Sequence, residues 1–150
     1  MKRHESLIPL LHQHHNGLAL CVLVERALQK DSSLASIARQ SKKCVDRFDV
    51  ELVNHFELEE TLLFKAILFE IGPMPLLDEL LGEHRRMQQL ISELREWPNE
   101  GTLREFITQL RTHIRREENE LFQEAQERLS PQTLIELEAE FSQRTVKICL

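Results

Sequence analysis

The sequence predicts an all-α protein: an antiparallel up-down four-helix bundle with a short C-terminal fifth helix. Three observations predict it. Gly (4) and Pro (5) are few in 150 residues, while Leu, Glu, Gln and Arg dominate, a helix-forming balance. Apolar residues recur at three- and four-residue spacings in four long stretches joined by short breaks, and no β-like alternation stands out. One stretch also occurs twice, as HFELEETLLF at 55–64 and HIRREENELF at 113–122, and both fit H-x-x-x-E-E-x-x-L-F.

The first helix is expected over about 5–29, where Leu7, Ile8, Leu10, Leu11, Leu18, Leu20, Val22, Val24 and Leu28 keep helical spacing. Asp31-Ser32-Ser33 supplies the turn and an N-cap. The second helix runs from Leu34 to about Ile71, with a break or bend before Phe48, and Gly72-Pro73-Met74-Pro75 stops it. The third spans about 75–96 and ends at Trp97-Pro98-Asn99-Glu100-Gly101. Thr102-Leu103-Arg104-Glu105 has capping-box spacing and opens the fourth, to about 129. Ser130-Pro131 starts a fifth segment over 131–148, with Pro in the first turn where it is tolerated. Its stripe of Leu134, Ile135, Leu137 and Phe141 packs on the bundle or serves a protein partner or homodimer. Residues 1–150 read as one domain, with the bundle over about 5–129.

A net charge of −6 and an isoelectric point near 5.7 exclude a general nucleic-acid surface. The basic pairs Lys42-Lys43, Arg85-Arg86 and Arg115-Arg116 read as solvated faces. No run approaches the roughly 20 apolar residues that span a membrane, and histidines interrupt the apolar amino terminus. Cys21, Cys44 and Cys149 are widely spaced, with no C-x-x-C, which suits reduced thiols. A soluble cytoplasmic protein with no output domain of its own is expected.

The repeat carries the chemistry. It extends upstream at the same offset, with Phe48 matching Phe106 and Leu52 matching Leu110. The apolar matches sit at −7, −3 and +8 from the histidine and the first glutamate at +4, one stripe of a helix. His55 and Glu59, and again His113 and Glu117, therefore interrupt a face that should be buried. Ionisable groups on a core face are paired or bound to metal, because burying them alone costs several kcal/mol. One such pair is accounted for by a structural hydrogen bond; two copies with the same neighbours point to a shared site.

The other helices should complete that site. His84 interrupts the stripe Leu77, Leu80, Leu81, Met87, Ile91, Leu94 of the third helix. In the first helix His15, with Leu11, Leu18 and Val22 around it, resembles His84 in its setting. His14, near Leu11, Leu18 and Cys21, is not separated from it by periodicity, and His12 lies on the His15 face as an additional ligand candidate. The expected set is His15, His55, Glu59, His84, His113 and Glu117. Imidazole and carboxylate without thiolate suit iron, manganese or zinc. One zinc needs only about four ligands, so six candidates favour a two-metal site with the carboxylates between two histidine pairs. Glu60 and Glu118 point elsewhere, with Glu118 as a reserve ligand.

The paired motif, with His84 in Gly-Glu-His and the amino-terminal His-x-His-His-x-x-Leu, resembles the hemerythrin-like (HHE cation-binding) domains over about residues 6–125. The resemblance implies an up-down four-helix bundle around two non-haem iron ions, oxo- or hydroxo-bridged. It implies His15, His55, His84 and His113 as terminal ligands and Glu59 and Glu117 as bridges. Oxygen-carrying members usually place a second histidine one turn from the third-helix ligand, where this chain has Leu80 and Gln88. They also use an aspartate at +5 of the fourth helix, where this chain has Glu118 after Glu117 at +4.

The expected function is a metal-binding protein that binds or senses a small diatomic ligand such as O2 or NO, or iron availability. One alternative is a di-iron enzyme activating oxygen or peroxide. Ferritin-like enzymes use Glu-x-x-His, which is missing here, and the chain has no Tyr to hold a radical. The other alternative is a metal-free helical interaction protein.

Overall fold

The structure is a computed structural model that describes residues 3–148, and these are all-α, with no strand among them. A short 3-10 turn at Glu5–Leu7 leads into α1 at Ile8–Lys30. Helix α2 covers 34–70 as α-helical Leu34–Arg47, a π-turn at Phe48–Leu52, Val53–Leu58, a second π-turn at Glu59–Leu63, and Phe64–Glu70. Helix α3 is Pro75–Glu96. Helix α4 covers 100–128 as Glu100–Arg116, a π-turn at Glu117–Leu121, and Phe122–Arg128. Helix α5 is Pro131–Arg144.

Each helix starts and stops for a local reason. The Ser33 and Ser130 side chains accept from the backbone amides of Ser36 and Thr133, capping α2 and α5. Gly72, at φ 109°, takes the left-handed conformation that ends α2. The expected capping box at Thr102 is not what opens α4. Asn99 caps it, accepting from the Thr102 amide, so the helix begins at Glu100. The expected break before Phe48 is instead a widened turn through which the helix continues, and α5 stops at Arg144, short of 148.

Short connections make successive helices antiparallel neighbours, and α4 closes the ring against α1. The packed interior is split in two. One apolar cluster holds Leu20, Val24, Phe48, Leu90, Phe106 and Ile107 among others, and the second holds Leu10, Leu63, Leu80, Leu121 and Phe122. Helix α5 completes the second with Leu134, Leu137 and Phe141, while Ile135 turns outward at 58% exposure. Each fully buried Leu or Phe contributes about 2 kcal/mol through area removed from water. Gly17 lets α1 approach α4 closely, since a Cβ there would sit 2.9 Å from Ile114 Cδ1. Cys21 and Cys44 are buried free thiols, with pKa values raised by burial to about 11 and about 12. Cys149 lies outside the described residues. Among those residues no helix is long and apolar enough to cross a membrane.

Candidate metal centre

Six ionisable side chains are fully buried around one point of the bundle: His14, His55, Glu59, His84, His113 and Glu117, all at 2% exposure or less. One ligand atom each of His14, His55, Glu59 and Glu117 lie within 4.8 Å of one another, and the same holds for Glu59, His84, His113 and Glu117. The two carboxylates belong to both groups. Glu117 Oε1 is 2.9 Å from His14 Nε2 and 3.7 Å from His55 Nε2. Its Oε2 is 3.1 Å from His113 Nε2 and 3.7 Å from His84 Nε2. Glu59 Oε1 sits between the two pairs, 3.1 Å from His55 Nε2 and 3.3 Å from His84 Nε2.

Every Nε2 faces inward because every Nδ1 is held from behind. His14 Nδ1 donates to Glu118 (3.0 Å) and His84 Nδ1 to Glu60 (2.9 Å). His113 Nδ1 donates to Glu83 (2.7 Å) and His55 Nδ1 to Gln13 Oε1 (2.9 Å). Carboxylates only accept, so these bonds place the protons on Nδ1 and leave the Nε2 lone pairs directed at the centre. The inner atoms are then all acceptors. His55 Nε2, both oxygens of Glu59 and Glu117 Oε2 are buried without a hydrogen-bond partner. The short His55–Glu59 contact is not aligned for a bond, and His84 Nε2 lies 3.1 Å from His113 Nε2. Only protons or a metal cation can join such a set, and the imidazole–carboxylate donors fit a metal.

The electrostatics say the same. Burial opposes charge on His55 and His113, but Glu59 and Glu117 outweigh it at His55, and Glu117 and Glu83 outweigh it at His113, lifting both to about 9. Burial likewise opposes charge on His84, yet its contacts with Glu117, Glu59 and Glu60 lift it to about 11. Glu117 is driven the other way. Burial would raise it, and the surrounding imidazoles hold it well below the usual carboxylate range. The pocket favours cations.

The repeated motif accounts for both halves. Its histidine and first glutamate point at the centre; its second glutamate, Glu60 or Glu118, holds the histidine of a neighbouring helix. Its phenylalanine stacks on that same ring: Phe64 on His84 (5.9 Å, 11°) and Phe122 on His14 (5.2 Å, 6°). A regular helix turns about 100° per residue, so His55 and Phe64, nine apart, would lie on opposite sides. The π-turns Glu59–Leu63 and Glu117–Leu121 add one residue to the turn and bring both phenylalanines back to the buried side. Phe56 also stacks on His84, at 3.9 Å.

The structure brings together five of the expected residues, and His14 stands where His15 was expected. His15 and His12 are exposed and line a surface cavity of about 350 Å³ with Ile8, Pro9 and the 145–148 segment. The physical reason is rotation: His14 and Gly17 share the face of α1 toward α4, and His15 is turned about 100° away. Glu118, the reserve ligand, holds His14 from behind instead. Gln13 and Glu83 were missed in the sequence. Each immediately precedes the inward histidine of its helix, and each holds the histidine of the next helix, so the Gln13-His14 and Glu83-His84 pairs were the available signal.

Fold and site together define an all-α protein with a buried histidine–carboxylate cluster suited to metal cations. The chain matches the hemerythrin HHE cation binding domain over residues 6–125, and it belongs to that family. Neither the curated proteins nor the solved structures give a match to it.

Proposed function

We propose that this protein holds two non-haem iron ions and binds or senses a small diatomic molecule, O2 or NO, or iron itself. His14 and His55 would hold one ion and His84 and His113 the other, with Glu59 and Glu117 shared. The observation that carries the reading is the convergence of four Nε2 atoms and two carboxylates on one buried point, where His55 Nε2, both Glu59 oxygens and Glu117 Oε2 have no hydrogen-bond partner. Iron ligated by imidazole and carboxylate supplies open coordination positions for a small ligand. The chain's own residues do the rest. Glu60, Glu83, Glu118 and Gln13 fix the ring orientations, and Phe56, Phe64 and Phe122 keep the centre dry.

The test is metal content per chain of the purified protein by elemental analysis, beside its visible absorption. About two irons are expected, with ligand-to-metal bands that change on adding O2, azide or NO. Substituting His55 and His113 together by Ala is expected to abolish uptake. Two zinc ions without such bands would keep the site and refute the diatomic-ligand reading. No metal after anaerobic iron loading would refute both.

A further inference from the structure

The groups that hold the four imidazole rings from behind follow one pattern in both halves of the centre, with one exception. His14 and His84 are each held by the motif's second glutamate, at 3.0 and 2.9 Å. His55 and His113 are each held by the residue before the neighbouring helix's histidine, at 2.9 and 2.7 Å, but that residue is Gln13 in one half and Glu83 in the other. A neutral amide stands where its counterpart is a carboxylate.

The amide cannot turn over to imitate a different partner. Gln13 Nε2 donates to Asn54 Oδ1 (2.9 Å) and to the Val146 carbonyl (3.2 Å). Asn54 is fixed in turn, accepting from the Val146 amide and donating to the Arg144 carbonyl, both at 2.9 Å. Gln13 therefore presents its oxygen to His55 as an uncharged acceptor. Across the centre, the Glu83 carboxylate accepts from His113 Nδ1 through one oxygen and from Arg116 through the other. Arg116 does not cancel that charge, because it is shared between Glu83 (2.8 Å), Glu120 (3.0 Å) and Glu79. Glu51, one turn before His55, does not restore the balance. Its Oε2 accepts from Asn16 Nδ2 and its Oε1 has no hydrogen-bond partner, so neither oxygen bonds His55.

An imidazole whose Nδ1–H points at a carboxylate is a more basic ligand than one pointing at an amide, and charged hydrogen bonds are about twice as strong. We propose that the two metal positions are inequivalent and that the His84/His113 position binds more tightly and fills first. Glu83 and Gln13 are the positioning residues that set the difference. The inference rests on the two-metal reading above.

The test uses zinc as a probe on the metal-stripped full-length protein. Ring resonances of His84 and His113 are expected to move during the first equivalent, and those of His14 and His55 during the second. Calorimetric titration should resolve two steps. Glu83→Gln keeps an accepting oxygen but removes the charge, and is expected to weaken the tighter step by about 10–100-fold while sparing the other. Simultaneous shifts, the reverse order, or equal weakening of both steps would overturn the inference while leaving two bound ions. No zinc uptake at any ratio would overturn the metal reading itself, and this inference with it.

Discussion

Replacing Glu117 by Gln in the metal-free protein tests the electrostatic account of the centre. Glu117 lies within 3.7 Å of all four inward nitrogens, closer than Glu59 to His14 and His113. His113 shows what the carboxylate is worth. Burial works against its charge, yet Glu117, together with Glu83, lifts it from an ordinary 6.5 to about 9. That difference, 9 − 6.5 = 2.5, at about 1.4 kcal/mol per unit corresponds to about 3.5 kcal/mol of folding stability, most of it from Glu117 and the rest from Glu83. His55 is lifted to about 9 by Glu59 and by the same Glu117, so the two contributions do not add. A histidine raised on folding stabilises fully below its unfolded value near 6.5, and the contribution is lost as pH climbs through about 9. Glu117, being depressed, contributes above its ordinary value of 4.5 and loses that on acidification. Both are therefore present at about pH 6. Denaturant unfolding in chelator is expected to show E117Q about 3 kcal/mol less stable there, with the gap closing toward about pH 9.5 as the wild type declines. An equal gap at both pH values, or a wild type that gains stability between about 6.5 and 9, would refute the reasoning.

Two further outcomes follow from the geometry. His14→Ala is expected to lower metal per chain and His15→Ala to leave it unchanged, since only His14 faces the carboxylates; elemental analysis of the two variants decides it, and the opposite pattern would restore His15. Phe122→Ala removes a fully buried ring stacked on His14 and should cost about 3–5 kcal/mol by thermal unfolding, with weaker metal retention. Full stability would mean that the ring is not packed as described.

The fold and most of the centre were legible in the sequence because helical periodicity reports burial, and ionisable residues on a buried stripe require a partner. His55, Glu59, His113 and Glu117 were found through the repeat, and His84 as the lone histidine of an otherwise apolar face. The first helix was harder. Apolar residues surround His14 and His15 alike in sequence, and only the close approach of α1 to α4 at Gly17 turns one inward and the other out. Capping showed the same limit: Thr102 had the right spacing, but Asn99, three residues earlier, had the free side chain at the helix entry.

The sequence by itself determined the class of fold, the twofold motif and the donor types that convene in the core, because these depend on residue spacing along single helices. Tertiary structure alone decided which histidine of His14 and His15 turns inward and what stands behind each ring. It also widened the helix at Glu59 and Glu117, so that Phe64 and Phe122 return to the buried side. Those outcomes depend on rotations of about 100° between adjacent positions and on distances between helices, and neither is written in the periodicity of any one helix.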